Sequence, residues 1–404
     1  MRYCALEDTC YALISGKAPA GAVMLDAPFS PLVALISRDA SASETSFAVA
    51  CPADLEDRGI ARLLKSDTSY GEPAFLEHIE QYGLLCINTS FPDALTRARP
   101  FLPGRSGLRL HLVGLGDVGS TLLMGLVLLG TPFDAIGIYD PDKKRCRRME
   151  MEANQILPPS GHRPRVEILS PEALFDCDVF AFTASAGVPA LGSTGDVRLA
   201  QREKNRTILA PYASQAREAK FSGLFFQISD PVDLLCQDVY QMSNTSEDGV
   251  LDYQGLRPEQ IIGLGLGVML ARADYAARQQ GIANFLSNGR GWGPHGSGLV
   301  IANALGAAYD DALSRALTEA AVTANLAVRK TGFKPYIAPA LSSACTQILS
   351  AVSGESFHAA IALDGVYMGC RARLTHNGLL PERADMPPAL IARVQESYDA
   401  LRGA

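Results

Sequence analysis

Three glycines and one aspartate carry the most specific chemistry in the sequence. Gly114, Gly116 and Gly119 stand in GxGxxG spacing, with Asp117 and Val118 inside the motif and Asp140 twenty-one residues after the last glycine. Such a turn suits a dinucleotide. Gly114 gives the tight turn, Gly116 lets backbone approach a pyrophosphate, Gly119 permits close helix packing, and Asp140 can accept from the adenosine ribose hydroxyls. A carboxylate there repels a 2′-phosphate and so favours NAD over NADP, while Arg145 and Arg147 bring the opposite charge close by in sequence. The chain has six histidines, and His295 lies between Gly293 and Gly296 in a loop that permits close approach. An imidazole exchanges its proton near working pH, so this one is placed for acid–base work.

Particular elements must position these groups. Leu108, Leu110, Leu112 and Val113 read as a buried strand entering the glycine turn; Val118, Leu122, Leu126 and Leu129 repeat at helical spacing after it, and Ile136–Tyr139 reads as the strand ending in Asp140. A helix follows over 143–157, then strands at 165–169, 179–183 and 224–228, a helix over 198–214 with a break at Pro211, and a further strand at 261–266. Alternation of this kind makes a parallel sheet. Thr183, Ala184 and Ser185 then lie at the carboxyl end of a strand, the edge where such sheets bind ligands, and join the cofactor-binding residues.

The first hundred residues come before all of this. Strands are expected at 21–26, 32–37, 47–51 and 84–88 and helices at 60–64 and 75–82, with no cluster of catalytic residue types. Pro100, Pro103, Gly104 and Gly107 punctuate the end. The division is therefore a small accessory α/β domain over 1–106, a Rossmann domain over 107–266 and an α+β substrate domain over 267–404. Hydrophobic residues at 48% and charged ones at 20% describe a globular chain, and a net charge of -7 argues against a nucleic-acid partner. No apolar stretch is long enough to span a membrane. Nine scattered cysteines without CxxC spacing suit a reducing, cytoplasmic setting and offer no metal site.

The order of motifs resembles the lactate and malate dehydrogenase family. The resemblance runs over about 108–404 and rests on the glycine turn, Asp140, Ala186-Gly187-Val188-Pro189, Asp230-Pro231-Val232-Asp233, Ile262-Gly263-Leu264-Gly265, Ala271-Arg272 and Gly293-Pro294-His295-Gly296. It implies an oxidoreductase with a Rossmann doubly wound sheet, NAD as cofactor, a small 2-oxo or 2-hydroxy acid as substrate, and a homo-oligomer, dimer or tetramer. It also implies roles. His295 exchanges a proton with the substrate oxygen, Arg272 grips the substrate carboxylate in a two-pronged pair, and Arg198, seven residues before Asn205, is the mobile-loop arginine that polarises the carbonyl, with Arg202 as its competitor.

Two departures from the family pattern change the chemistry. Three residues before Arg272 the family has an aspartate that holds the histidine; this chain has Met269. Where the family has asparagine before Pro-Val-Asp, this chain has Asp230. Asp230 is therefore expected to supply, beside His295, the negative charge that Met269 cannot. Ala190 and Leu191 replace the arginine with which malate-type enzymes hold a second carboxylate, and Ile337 is expected near the pocket, so a monocarboxylate with an apolar or atypical side chain fits best. A substrate amine or imine would also suit Asp230. The alternative is an NAD-binding regulatory or scaffold protein that has lost the chemistry; a metal-dependent glycosidase on the same fold lacks the expected Cys and His pair.

Overall fold

The computed structural model describes residues 1–66, 71–130, 132–187 and 197–404, with backbone alone at 197–200. The N-terminal part contains β1 (Arg2–Leu6), β2 (Thr9–Leu13), β3 (Val23–Leu25), β4 (Leu32–Ile36), β5 (Ser46–Val49), α1 (Pro73–Tyr82), β6 (Leu84–Asn88) and α2 (Ala94–Arg97). They make one sheet in the order β3-β1-β2-β4-β6-β5. The first two strands have no counterpart in the sequence reading. Their Cys and Ala content is a weak strand signal, and the hairpin closes through Glu7, held at φ 51, where no glycine announces a turn. The expected helix at 60–64 is a 3₁₀ turn over Gly59–Leu63.

From residue 108 the chain alternates as expected: β7 (Leu108–Val113), α3 (Asp117–Leu129), β8 (Phe133–Tyr139), α4 (Lys143–Ala153), β9 (Arg165–Ile168), β10 (Val179–Phe182), α5 (Val197–Glu218), β11 (Leu224–Gln227), α6 (Val232–Asn244) and β12 (Ile261–Gly263). All neighbours among these strands pair in parallel, in the spatial order β9-β8-β7-β10-β11-β12. That is the doubly wound order whose direction reverses between β7 and β10, and a ligand crevice opens there. β7 and β10 are nearly all buried because helices cover both faces of the sheet. The break expected at Pro211 does not occur; α5 runs through it. Burial of Leu209, Ala213 and Ala216 outweighs the hydrogen bond that proline forfeits.

The remaining elements are α7 (Leu266–Gln279), α8 (Phe285–Asn288), β13 (Arg290–Trp292), β14 (Val300–Ala302), α9 (Asp311–Lys330), α10 (Thr346–Ser353), β15 (Ser356–Leu363), β16 (Val366–Thr375), β17 (Gly378–Pro381) and α11 (Pro388–Arg402). β15 pairs antiparallel with β12, so β15, β16 and β17 extend the parallel sheet to nine strands across the 266/267 boundary. Asp364 and Gly365, both at positive φ, make the two-residue turn between β15 and β16.

The N-terminal sheet is bound to the rest by buried polar contacts. Glu259 accepts from Thr45 N at 3.1 Å and Ser46 Oγ at 2.9 Å, and Arg383 forks onto Asp54 at 2.7 and 2.8 Å and reaches Asp57 at 2.7 Å. Ile60 and Leu63 share one apolar core with Leu390 and Val394 of α11. No described helix is long and apolar enough to cross a membrane.

Candidate active site

The glycine turn sits at the sheet's reversal point. Gly114 has φ +92, and a β-carbon on it would lie 2.5 Å from Ala184 N; one on Gly119 would lie 1.9 Å from Gly114 O. Those two glycines are filled by protein. A β-carbon on Gly116 would meet nothing within 4 Å, which leaves that side of the turn, above the first turn of α3, open to a phosphate. Asp117 lies in the first turn of α3 and its carboxylate is 3.3 Å from Lys334 Nζ, while Val118 packs against the core. Asp140 accepts from Leu115 N at 2.8 Å and Asp142 N at 2.9 Å, tying the turn to the end of β8, with Arg145 Nη1 3.4 Å away. Thr183 Oγ1 donates to Gly114 O at 2.6 Å, so the ends of β7 and β10 are bolted together. The cradle fits a dinucleotide.

The second half of the site is assembled from distant segments. Asp230 follows β11, preceding a cis peptide to Pro231, and its Oδ1 accepts from His295 Nδ1 at 3.0 Å. The imidazole is largely buried and the carboxylate is 45% exposed, so the pair opens toward solvent on the aspartate side. Asn205 joins this pair to the cradle: its Oδ1 accepts from Ala186 N at 2.8 Å and Ser185 Oγ at 3.2 Å, and its Nδ2 donates to Asp230 O at 2.6 Å. The sequence marks Asn205 only as a spacing reference for Arg198, and nothing local signals that it is a fully buried tie.

Arg272 lies on α7 with Nη1 donating to Met269 Sδ at 3.4 Å, not in a surface ion pair. Burial pulls its guanidinium below the usual arginine range, and the nearby Asp230 charge partly opposes this. Arg202, the competitor for the carbonyl role, is engaged: it forks onto Asp238 at 3.0 and 3.1 Å and reaches Ala404 O at 2.9 Å. Arg198 lies in the first turn of α5 with its side chain outside the described residues, as are Ala190 and Leu191. Ile337 is exposed and does not line the cavity at His295. Among the described residues no cluster could hold a metal ion.

That cavity, of about 260 Å³, is walled by Asp233, His295, Gly298, Ser397 and Leu401. Asp233 and Ser397 were not singled out for chemistry from the sequence. Ser397 is buried with no partner for its Oγ, and Asp233 accepts from Gly369 N at 3.2 Å. Burial pushes the Asp233 carboxyl from 3.8 up to about 7, against the opposing hydrogen bonds and charge of His295 and Gly369. A carboxyl raised on folding stabilises the native state fully below its unfolded value and loses that contribution as pH rises through its folded value. Raising pH from about 4 to about 7 is therefore expected to remove on the order of 4 kcal/mol of stability. Asp233→Asn should flatten this dependence, which thermal unfolding at several pH values across that window measures; an unchanged slope would contradict it.

Residues 108–252 match the family model for the lactate/malate dehydrogenase NAD binding domain. An L-lactate dehydrogenase from Staphylococcus saprophyticus subsp. saprophyticus is 30% identical over 189 residues, which are 46% of this chain and 54% of that one. One from Corynebacterium jeikeium is 28% identical over 174 residues, 43% of this chain and 48% of its own. The chain thus spans about half the length of these curated relatives. Two solved structures share the fold at a TM-score of 0.60: the minor L-lactate dehydrogenase from Enterococcus mundtii, 16% identical over 74% of this chain and 98% of that one, and malate dehydrogenase from Archaeoglobus fulgidus in complex with NADH, 20% identical over 73% and 98%. The glycine cradle, the strand order and these similarities agree: residues 108–252 are an NAD binding domain of the lactate/malate dehydrogenase type, and NAD is its nucleotide.

Proposed function

We propose that the protein is an NAD-dependent oxidoreductase that moves a hydride between nicotinamide and a 2-oxo or 2-hydroxy monocarboxylic acid with an apolar or atypical side chain. The Asp230–His295 hydrogen bond at 3.0 Å is the observation that carries this reading. It occupies Nδ1 and leaves Nε2 as the nitrogen that gives a proton to the substrate oxygen in reduction and takes it back in oxidation. Asp230 fixes the ring by accepting from Nδ1 and places a carboxylate beside it. Arg272 holds the substrate carboxylate and Arg198 polarises the carbonyl. NADH, when bound, supplies the hydride. A carboxylate exposed beside the substrate also suits a partner amine or imine, hence the atypical side chain.

The reading is tested by following NADH oxidation against pyruvate, 2-oxobutyrate, phenylpyruvate and oxaloacetate. Turnover of a monocarboxylate supports it, and NADH binding without turnover of any of them supports the rival reading as an NAD-binding regulator, which buried Met269 in place of the family aspartate favours. Asp140→Ala is expected to weaken NADH binding by about 10- to 100-fold, read by fluorescence titration, because a charged acceptor for ribose hydroxyls and for Leu115 N is lost. Assembly as a dimer or tetramer belongs to the same proposal. It is supported by Met124, Leu128 and Leu129, which α3 leaves exposed while Leu122, Leu123 and Leu126 are buried.

A further inference from the structure

α11 separates two cavities. Ser397 and Leu401 face the His295 cavity, while Tyr398 and Arg402, each the next residue along, face a groove of about 590 Å³ between α11 and the N-terminal domain. The far wall of the groove is Arg58, Ile60 and Ala61. It is preformed, because Arg383 fixes this wall through Asp54 and Asp57, and Ile60 packs in the shared core. Its charge is unbalanced. Arg58 is paired with Asp364, but Arg402 makes no ion pair or hydrogen bond among the described residues, so two guanidinium groups face one carboxylate above an apolar floor. That combination complements an anion with an apolar body.

The helix also touches the catalytic histidine's loop. A β-carbon on Gly293 would lie 2.5 Å from Ser397 Oγ, and one on Gly298 would lie 3.7 Å from it, so two glycines of the His295 loop pack against one α11 side chain. Close-packed contacts of this kind transmit small displacements of a helix. We propose that the groove binds a small organic anion with an apolar body, and that α11 carries its occupancy to the His295 loop. The site itself is independent of the dehydrogenase reading; its effect on turnover rests on that reading.

The probe is 8-anilinonaphthalene-1-sulfonate, an apolar monoanion, titrated into the full chain with NAD saturating so that the dye is kept from the nucleotide cleft. One dye per chain is expected. Arg402→Glu should weaken binding by about tenfold or more, since an attractive charge becomes a repulsive one. Arg402→Lys should retain it, and Gln395→Trp, which fills the groove from α11, should abolish it. The imidazole resonance of His295, identified by its loss in His295→Asn, should move on dye binding in the wild-type chain and stay fixed in Gln395→Trp. Dye binding that is indifferent to Arg402→Glu and Gln395→Trp overturns the site; a bound dye with an unmoved His295 resonance overturns the transmission. Both readouts work in a chain with no turnover, so their failure is distinguishable from failure of the dehydrogenase reading.

Discussion

Asp230→Asn is expected to lower turnover in 2-oxo acid reduction by about 10²- to 10⁴-fold, the range that positioned acid–base groups contribute, while leaving NADH affinity essentially unchanged. The substitution keeps the size of the side chain and an oxygen able to accept from His295 Nδ1, so the 3.0 Å contact can persist. What goes is the negative charge. Without it Nδ1 donates to a neutral oxygen, a weaker partner for a ring that passes a proton to and from the substrate, so turnover falls. A merely structural role for Asp230 would leave turnover near the wild-type value in a variant that keeps this contact. The double variant Asp230→Asn/Met269→Asp is the sharper test. Met269 lies against Arg272, in the position where the resemblance implies an aspartate. Returning both residues to the pattern that the resemblance implies should restore part of the turnover. A double variant no better than the single one would mean that Asp230 acts through something other than charge at the histidine.

The sequence reveals most where the requirement is local. A glycine turn has to be written in consecutive residues, and the strand, turn, helix and acid around Gly114 lie within one short stretch, so the cradle and the parallel sheet behind it are legible. Asp230 and His295 are 65 residues apart, and no pattern in either segment states that they touch; only the exchange of Met269 for a family aspartate hinted at a relocated charge. Asn205, Asp233 and Ser397 left no signal, because a buried amide, carboxyl or hydroxyl is chemically ordinary until tertiary packing removes its water. Pro211 misled for the converse reason. Its local penalty is real, but it was outweighed by apolar burial on α5 that the chain order does not display. The nine-stranded sheet was similarly hidden, since β15 joins β12 by a pairing almost a hundred residues away.

Gly116→Ala and Gly119→Ala should have opposite signatures although they differ by one methyl group three residues apart. At Gly119 the new carbon would be 1.9 Å from Gly114 O and 2.6 Å from Thr183 Oγ1. The first obstacle is backbone held at the end of β7, and the second is a hydroxyl already donating to Gly114 O, so neither can swing aside. α3 must shift away from the sheet, which is expected to cost about 1–3 kcal/mol or more as overpacking and to lower Tm by several degrees. NADH binding falls with it, since the helix start that faces the pyrophosphate has moved. At Gly116 the backbone is at φ −69, a value any residue adopts, and a β-carbon meets nothing within 4 Å. Tm should stay within about a degree, as for a surface substitution that disturbs no contact. The open space is nevertheless where a phosphate must come close to backbone, so NADH affinity should fall by about tenfold or more. Thermal unfolding and NADH fluorescence titration on the two variants separate these effects. If Gly116→Ala binds NADH as well as the wild-type chain, the pyrophosphate does not approach at Gly116, and the assignment of that side of the turn to the cofactor fails even though the fold stands.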